Sequence, residues 1–366
     1  MPRVHLYDLK KEKAMSKFLI QRLSSLTEYV PGEQPRDKKY IKLNTNESPF
    51  PPSPKAMEII DQGALGDLRL YSDPESKALK QAIADSYGVD TANVFVSNGS
   101  DEVLNFFFMA FCDADRKVCF PEISYGFYKV FANLYSIDYE AVALKEDFSI
   151  NPADYMNKGK NIVIANPNAP TGLTISLSDI ESILKTNPES IVVIDEAYVD
   201  FGGESAAELT KKYDNLLVVQ TFSKSRSLAG ARLGFAIANE EIIKDLEKIK
   251  YSTNPYNVNR LTQALGAASV ADREYFDKNR NQIIQNREYT IAELKRLGFT
   301  VTDSKANFVF AASDRIDGEV LYKELKDRGI LVRHFSDKKI ANYNRITIGT
   351  REEMEALINS IEVILQ

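Results

Sequence analysis

The sequence predicts an α/β protein in which a large domain with a mostly parallel sheet is joined to a smaller α+β domain. The first observation is length, because 366 residues exceed what one hydrophobic core usually supports. The second is that short apolar runs alternate with helix-like segments from about residue 75 onward. The third is that several of these runs, such as Ile191–Ile194, are apolar at consecutive positions, as in strands covered on both faces. Together they favour a parallel sheet packed between helices.

The N-terminal part predicts one amphipathic helix followed by irregular chain. Residues 8–26 carry apolar side chains at roughly helical spacing, and Pro31 and Pro35 then interrupt the pattern. Residues 44–54 are dense in Asn, Pro and Ser, which is typical of a loop. We expect residues 1–45 to form an arm that packs on the small domain.

The large domain is predicted over residues 46–255. A helix is expected at Ser76–Tyr87, ended by Gly88, and another at Glu240–Lys250. The strands between them are expected at Val94–Val96, Lys117–Phe120, Asn161–Ala165, Ile191–Ile194, Leu216–Gln220 and Gly234–Ala238.

The small domain is predicted over residues 256–366, after the break at Asn254-Pro255. Helical segments are expected from about Leu261 to Leu297. The strands are expected at Phe299–Thr302, Asn307–Ala311, Gly329–Arg333 and Arg345–Gly349.

Composition excludes several classes of function. A net charge of −6 and a pI of about 5.3 argue against nucleic acid as a partner. Only two histidines occur, so a histidine-based metal centre or a Ser-His-Asp triad is not expected, and we predict no metal site. There is no dinucleotide or P-loop fingerprint. The chemistry must therefore rest on Lys, Asp, Tyr, Asn and Arg, which points to an organic cofactor.

Compartment can be predicted from the N-terminus and the cysteines. The first 23 residues lack the apolar stretch of a signal peptide, and the strongest apolar run, Phe106–Cys112, is too short to span a bilayer. The two cysteines, Cys112 and Cys119, are expected to be buried thiols in a reducing compartment. We expect a cytoplasmic protein with no membrane partner.

The stretch from Thr221 to Gly234 is the strongest chemical signal. It follows a predicted strand, so Lys224 is expected at the sheet edge where ligands of α/β proteins collect. Thr221 and Ser223 supply hydroxyls near the lysine, and Arg232 follows eight positions after it. Hydroxyls and a guanidinium suit a phosphate dianion. A lone lysine is usually a surface residue, but a lysine beside a phosphate site is what covalent attachment of pyridoxal 5′-phosphate (PLP) requires.

A second signal is Asp195, which ends the apolar run Ile191–Ile194. An acid at this place could be a metal ligand or a helix cap. With PLP, a buried carboxylate would instead stabilise the protonated pyridine nitrogen and keep the ring an electron sink. Tyr198 could reach the phenolic oxygen of the ring. Asn168, in a Pro-rich turn after another strand, could donate to the same oxygen.

Two weaker signals complete the pattern. Ser100, Asp101 and Glu102 begin a predicted helix after a Gly turn, and a helix N-terminus offers backbone N–H groups to an anion. Capping residues are common at such starts, so this signal alone is weak. Tyr125 could stack on a pyridine face, although it is one of 18 tyrosines.

In this order and spacing, the stretches resemble fold-type I aminotransferases, and more narrowly the histidinol-phosphate aminotransferases. The narrower resemblance rests on Tyr29-x-Pro-Gly, Leu43-Asn-x-Asn46-Glu-x-Pro49, Tyr71-x-Asp-Pro, Asn98-Gly-Ser-Asp-Glu, Asp195-Glu-Ala-Tyr-x-Asp-Phe, Gly329-Ile-Leu-Val-Arg333-His-Phe and Arg345-Ile-Thr-Ile-Gly-Thr. It covers about residues 20–366. Ala169 and Ser48 depart from the usual motifs at positions without a chemical role.

The resemblance implies a seven-stranded, mostly parallel sheet and a role for each site residue. Lys224, Asp195 and Tyr198 would be the catalytic residues, with Lys224 holding PLP and moving the substrate proton. The PLP-binding residues would be Tyr71, Ser100, Asp101, Glu102, Tyr125, Asn168, Asp195, Tyr198, Thr221, Ser223, Lys224 and Arg232. The substrate-binding residues would be Tyr29, Asn46, Arg333 and Arg345. Tyr71 would reach the phosphate from the neighbouring subunit of a homodimer.

The reaction that the resemblance implies is transamination of L-histidinol phosphate with 2-oxoglutarate, giving imidazole-acetol phosphate and glutamate. Three alternatives stay open. An aromatic amino-acid aminotransferase or a threonine-phosphate decarboxylase would use the same scaffold. A PLP-binding regulator domain is disfavoured, because the short N-terminal segment leaves no room for a basic helix-turn-helix module.

Overall fold

The structure is a computed structural model that describes residues 16–24, 26–61 and 64–366. Its strands are β1 (Ile41–Lys42), β2 (Val94–Ser97), β3 (Val118–Pro121), β4 (Tyr139–Val142), β5 (Asn161–Ala165), β6 (Val192–Asp195), β7 (Leu216–Thr221), β8 (Gly234–Ala238), β9 (Phe299–Val301), β10 (Phe308–Ser313), β11 (Ile330–Leu331), β12 (Arg333–His334) and β13 (Asn344–Thr347). Its α-helices are α1 (Pro54–Asp61), α2 (Lys77–Tyr87), α3 (Ser100–Phe111), α4 (Phe127–Leu134), α5 (Leu177–Thr186), α6 (Glu240–Thr253), α7 (Arg260–Ala271), α8 (Arg273–Arg296), α9 (Gly318–Asp327) and α10 (Arg351–Ile364).

Within the described residues, seven strands form the central sheet in the order β2-β8-β7-β6-β5-β3-β4. β8 runs in the opposite direction to the other six strands of this sheet. The carboxyl ends of β5, β6 and β7 therefore lie side by side at one edge, where open α/β sheets bind ligands. This confirms the predicted α/β fold with a mostly parallel seven-stranded sheet.

Consecutive apolar residues in these strands are explained by burial on both faces. Val193 and Leu217 belong to one core cluster, whereas their neighbours Ile194 and Val218 belong to another on the opposite face. Since successive strand side chains point to opposite faces, a sheet covered twice needs apolar residues at every position.

A second, antiparallel sheet has the order β12-β13-β10-β9. It shares a core with α8, α9 and α10, in which Ile291, Leu325 and Ile358 are buried. β1 pairs in parallel with β11, and Leu43 is buried in the same core. Residues 41–43, which precede α1, therefore contact the predicted small domain. The domain limits at residues 45 and 255 stay predictions.

Several elements differ from the sequence-based expectation. The helix predicted at residues 8–26 is wrong over its described part, where a single 3₁₀ turn spans Gln21–Leu23; residues 1–15 lie outside the described residues. Asp272 divides the long helical segment into α7 and α8. The strand predicted at Gly329–Arg333 is two short strands that pair with different partners.

Other elements were not predicted. β4 lies at the edge of the central sheet and is half exposed, so it lacks the apolar run that marks the other strands. Helices α1, α4, α5, α9 and α10 also escaped prediction. Among the described residues, no helix is both long enough and apolar enough to cross a bilayer.

Candidate active site

Two cavities adjoin at the carboxyl edge of the central sheet. The larger has a volume of about 390 Å³ and the smaller about 140 Å³. Lys224, Tyr198, Tyr125 and Ala169 line both. Lys224 therefore lies where the two cavities meet.

Lys224 lies in the loop that follows β7, at the carboxyl edge of the central sheet. Its Nζ donates to the carbonyl of Thr45 at 3.2 Å and lies 5.7 Å from the ring centre of Tyr198. Burial, assisted by the positive charge of Arg345, lowers the pKa of the Lys224 amine to about 8. A larger share of this amine is therefore neutral, and hence nucleophilic, near neutral pH than for an ordinary lysine.

Asp195 ends β6 and lines the smaller cavity. Its Oδ2 accepts from the Tyr128 hydroxyl at 2.7 Å, and its Oδ1 accepts from the backbone N–H of Ala197 at 3.2 Å. Burial raises the pKa of Asp195 to about 6, against the opposing effect of these two hydrogen bonds. A buried carboxylate facing a cavity can stabilise a cationic ring nitrogen, as the sequence predicts.

Hydroxyl, backbone N–H and guanidinium groups also line the smaller cavity, through Ser100, Asp101, Thr221, Ser223 and Arg232. The N-terminus of α3 contributes the first two of these residues. Thr221 at the end of β7 and Ser223 in the loop that follows contribute the two hydroxyls, which are hydrogen-bonded at 3.0 Å.

Arg232 can line this cavity because Gly99, against which its guanidinium packs, has no side chain. A Cβ at Gly99 would lie 2.7 Å from a terminal guanidinium nitrogen of Arg232, and Gly99 has a φ of +80°, which favours glycine. Arg232 donates to a carboxylate oxygen of Asp101 at 3.1 Å. A helix N-terminus, hydroxyls and a guanidinium are the groups that a phosphate monoester needs.

Arg333 and Arg345 line the larger cavity and are direct cross-strand partners on β12 and β13. Cross-strand partners have Cβ atoms about 5 Å apart, and like charges placed so are destabilising. Arg333 donates to the carbonyls of Val30 and Pro31 at 3.2 and 3.3 Å. Two positive charges placed so close together indicate a binding site for an anion that neutralises them.

Arg345 gives direct support for such an anion. Burial lowers its pKa, and one of its terminal nitrogens donates to the Asn44 carbonyl at 3.1 Å. Its Nε is buried and has no hydrogen-bond partner among the described residues. A buried, unpaired N–H on a cation is costly unless a ligand accepts from it.

Three tyrosines and Asn46 also line the cavities. Asn46 Nδ2 donates to the Tyr198 hydroxyl at 2.9 Å. The Tyr125 hydroxyl donates to Asp101 at 2.8 Å, which holds its ring beside the smaller cavity. Tyr29 lines the larger cavity and makes an edge contact with Tyr125 at 6.2 Å.

Three predicted site residues do not line either cavity in this chain. Asn168 lies just behind the wall, where its Nδ2 donates to the Ile123 carbonyl at 3.0 Å. Glu102 accepts from the backbone N–H of Asn98 at 2.7 Å, so its carboxylate caps the turn before α3. Tyr71 lies on the surface and is 77% exposed. Their contacts with a cofactor stay predictions.

Sequence reasoning missed two contributors. Tyr128 supplies the hydroxyl on Asp195, and the Thr45 carbonyl accepts from Lys224. A backbone carbonyl leaves no signal in the sequence. Tyr128 could have been suspected only from its position three residues after Tyr125, which does not by itself indicate a contact with Asp195.

The residues present fit PLP. A buried carboxylate, an amine of lowered pKa and a set of hydroxyl, backbone N–H and guanidinium groups line the smaller cavity, and these are the groups that the pyridine nitrogen, aldehyde and phosphate of PLP require. Among the described residues there is no group of three or more His, Cys, Asp or Glu side chains able to hold a metal ion.

Comparison with known proteins agrees with this site. The family model described as aminotransferase class I and II matches residues 38–361. Histidinol-phosphate aminotransferase from Brachyspira hyodysenteriae is 52% identical over 353 residues, which are 96% of this chain and 100% of that protein. The enzyme of the same name from Clostridium acetobutylicum is 50% identical over 348 residues, 95% of this chain and 99% of that protein.

The chain belongs to the histidinol-phosphate aminotransferase family of class I and II aminotransferases. The resemblance predicted from the motifs is thereby confirmed. The solved structure of histidinol-phosphate aminotransferase from Sinorhizobium meliloti in complex with pyridoxal-5′-phosphate matches with a TM-score of 0.87 at 23% identity, over 96% of this chain and 98% of that one. At that identity the match shows a shared fold. For a member of this aminotransferase family, the two cavities are candidate cofactor and substrate sites.

Proposed function

We propose that this aminotransferase uses PLP to transfer the amino group of L-histidinol phosphate to 2-oxoglutarate, giving imidazole-acetol phosphate and glutamate in histidine biosynthesis. The names of relatives that are about half identical along nearly the whole chain support this substrate. In the structure, the observation that carries the proposal is the arginine pair beside Lys224, with the buried Arg345 Nε left without a partner among the described residues.

The residues that line the smaller cavity support its role as the PLP site. PLP, when bound, withdraws electrons from the substrate Cα and stores the amino group between the two half-reactions. Lys224 would hold PLP through its amine, and its Nζ is placed to carry the proton taken from the substrate Cα. Asp195 would keep the ring nitrogen protonated, and Tyr198 would donate toward the ring oxygen. Arg232 and the N-terminus of α3 would bind the phosphate.

The larger cavity must hold two different anions in turn. Histidinol phosphate carries a phosphate and no carboxylate, whereas glutamate and 2-oxoglutarate carry carboxylates and no phosphate. A guanidinium binds either group through two parallel hydrogen bonds. Arg333 and Arg345, placed side by side by the β12–β13 pairing, therefore suit both substrates.

A half-reaction experiment tests the substrate. The PLP form is mixed with histidinol phosphate or with phenylalanine, and loss of the long-wavelength absorbance of lysine-bound PLP is followed by stopped flow. We expect histidinol phosphate to react at far lower concentration. Phenylalanine reacting better would contradict the assignment, and carbon dioxide released from threonine phosphate would indicate a decarboxylase.

A variant control ties that result to the arginines. Arg345→Gln is expected to lower the affinity for both compounds, because the lost guanidinium would bind the phosphate of histidinol phosphate or the carboxylate of phenylalanine. The loss should be larger for histidinol phosphate, whose phosphate is a dianion. Lys224→Ala should lose both the long-wavelength band and the activity. If the band survived in Lys224→Ala, the lysine assignment would be wrong.

We also propose a homodimer in which Tyr71 enters the partner's site. Tyr71 is 77% exposed and stacks on Tyr256 with ring centres 4.5 Å apart. The segment just before Tyr71 in the chain also exposes several large apolar side chains, which is typical of an interface. These side chains are Met57, Ile60, Leu65, Leu68 and Leu70.

Intersubunit complementation tests the shared site. Tyr71→Ala and Lys224→Ala dimers are each expected to have little activity, and a mixed dimer should regain one intact site. Activity that fails to return after mixing and reassembly, or a monomer in sedimentation, would contradict a shared site. Cytoplasmic localisation stays the expectation from the sequence, in keeping with the buried free thiols of Cys112 and Cys119.

A further inference from the structure

Asp195 is held by a residue that no motif indicates. Tyr128 lies in α4, is fully buried, and donates its hydroxyl to Asp195 Oδ2 at 2.7 Å. Among the described residues, the only other hydrogen bond to this carboxylate comes from the backbone N–H of Ala197 at 3.2 Å. Each carboxylate oxygen has two acceptor positions, so a further donor from the cavity side can be accommodated.

The tyrosine cannot readily change its role as a donor. Burial, followed by the nearby Asp195 charge, raises the pKa of Tyr128 well above its ordinary value, so its hydroxyl keeps its proton. Packing also fixes its ring, which contacts Phe120 at 5.8 Å and Tyr125 at 5.7 Å between ring centres. The hydroxyl is therefore aimed at one carboxylate oxygen by a rigid support.

We propose that Tyr128 is a positioning residue that orients the Asp195 carboxylate and keeps it charged, so that the acid pairs with the protonated ring nitrogen of the cofactor. The inference rests on the proposed function, since it assigns Asp195 to that nitrogen. A buried carboxylate without donors tends to take up a proton, and a neutral acid would hold a pyridinium poorly. Tyr128 acts on the cofactor only through Asp195.

Tyr128→Phe removes the hydroxyl oxygen and leaves the ring. Tyr155→Phe is a matched control, because Tyr155 is also fully buried but its hydroxyl has no partner among the described residues. The measurement is the dissociation constant of PLP from the apoprotein, followed by absorbance. Hydrogen bonds to charged groups change such constants by about tenfold or more. We expect that weakening for Tyr128→Phe and no change for Tyr155→Phe.

A double-mutant cycle separates positioning from general packing. In an Asp195→Asn background, Tyr128→Phe is expected to have no further effect on the PLP dissociation constant. Tyr128→His, which keeps a ring N–H donor, should bind PLP more tightly than Tyr128→Phe. Thermal melting of each apoprotein checks that it is folded. If Tyr128→Phe does not fold, PLP binding by Tyr128→His is compared with that of the unaltered protein instead.

The outcomes distinguish this inference from the function on which it rests. If Tyr128→Phe matches Tyr155→Phe, or if its effect persists in full beside Asp195→Asn, the positioning role is overturned while the PLP assignment stands. If the unaltered protein itself fails to bind PLP through Lys224, the proposed function falls and this inference falls with it.

Discussion

The lowered pKa of Lys224 makes a quantitative prediction about cofactor attachment. The amine must be neutral to react with the aldehyde of PLP, and burial brings its pKa to about 8 from 10.5. Because the neutral fraction changes tenfold per pH unit below the pKa, roughly 300 times more neutral amine is present at neutral pH than for an ordinary lysine. The apoprotein should therefore bind PLP covalently without strong alkali.

The assay is the rate at which the long-wavelength absorbance appears when apoprotein meets PLP, measured from about pH 6.5 to 10. We expect the rate constant to rise with pH until about 8 and then level off. A free lysine analogue with an ordinary amine provides the control and should keep gaining rate across the whole range.

Two variants should move this break in opposite directions. Arg345 lowers the pKa of Lys224 through its charge and Glu47 raises it. Arg345→Gln should therefore shift the break to higher pH, and Glu47→Gln to lower pH. A rate that climbs without a break to pH 10, or two variants that shift in the same direction, would refute the electrostatic account.

Further predictions concern packing, substrate and stability. Gly234→Ala would place a Cβ 2.3 Å from the backbone nitrogen of Ser100. It should therefore weaken PLP binding and lower the free energy of unfolding in urea by about 1–3 kcal/mol. Gly230→Ala, which has open space around it, should change neither quantity. Arg333→Gln should raise KM for histidinol phosphate and for 2-oxoglutarate by about tenfold or more while leaving PLP affinity nearly unchanged. An effect on one substrate alone would contradict a shared anion site. Thr350→Ala removes the N-cap of α10 and should cost about 1 kcal/mol, with the spectrum of the bound cofactor unaltered.

The central sheet and its chemistry were visible in the sequence because their signals are local. Strands buried on both faces need uninterrupted apolar runs, and the observed strands begin and end within about two residues of those runs. Asp195 ends β6 and Lys224 lies three residues after the end of β7, so the parallel pairing of these strands brings both to one edge.

The elements that escaped prediction lack such a local signal. β4 is an edge strand with one solvent-facing side. Residues 16–24 have apolar side chains at helical spacing but are mostly exposed, so no packing stabilises a helix there. The split between β11 and β12 depends on two different partner strands, which no local pattern encodes.

Residue types and spacing along the chain were sufficient for the α/β class, the cofactor and the family, while the roles of Lys224 and Asp195 stay predictions. Contacts between distant segments needed the folded chain. The pairing of Arg333 with Arg345, the Thr45 carbonyl on Lys224 and the Tyr128 hydroxyl on Asp195 each join segments that are far apart in sequence or on separate elements. Their geometry follows from strand register and core packing, which depend on many weak contacts at once and leave no motif at any single position.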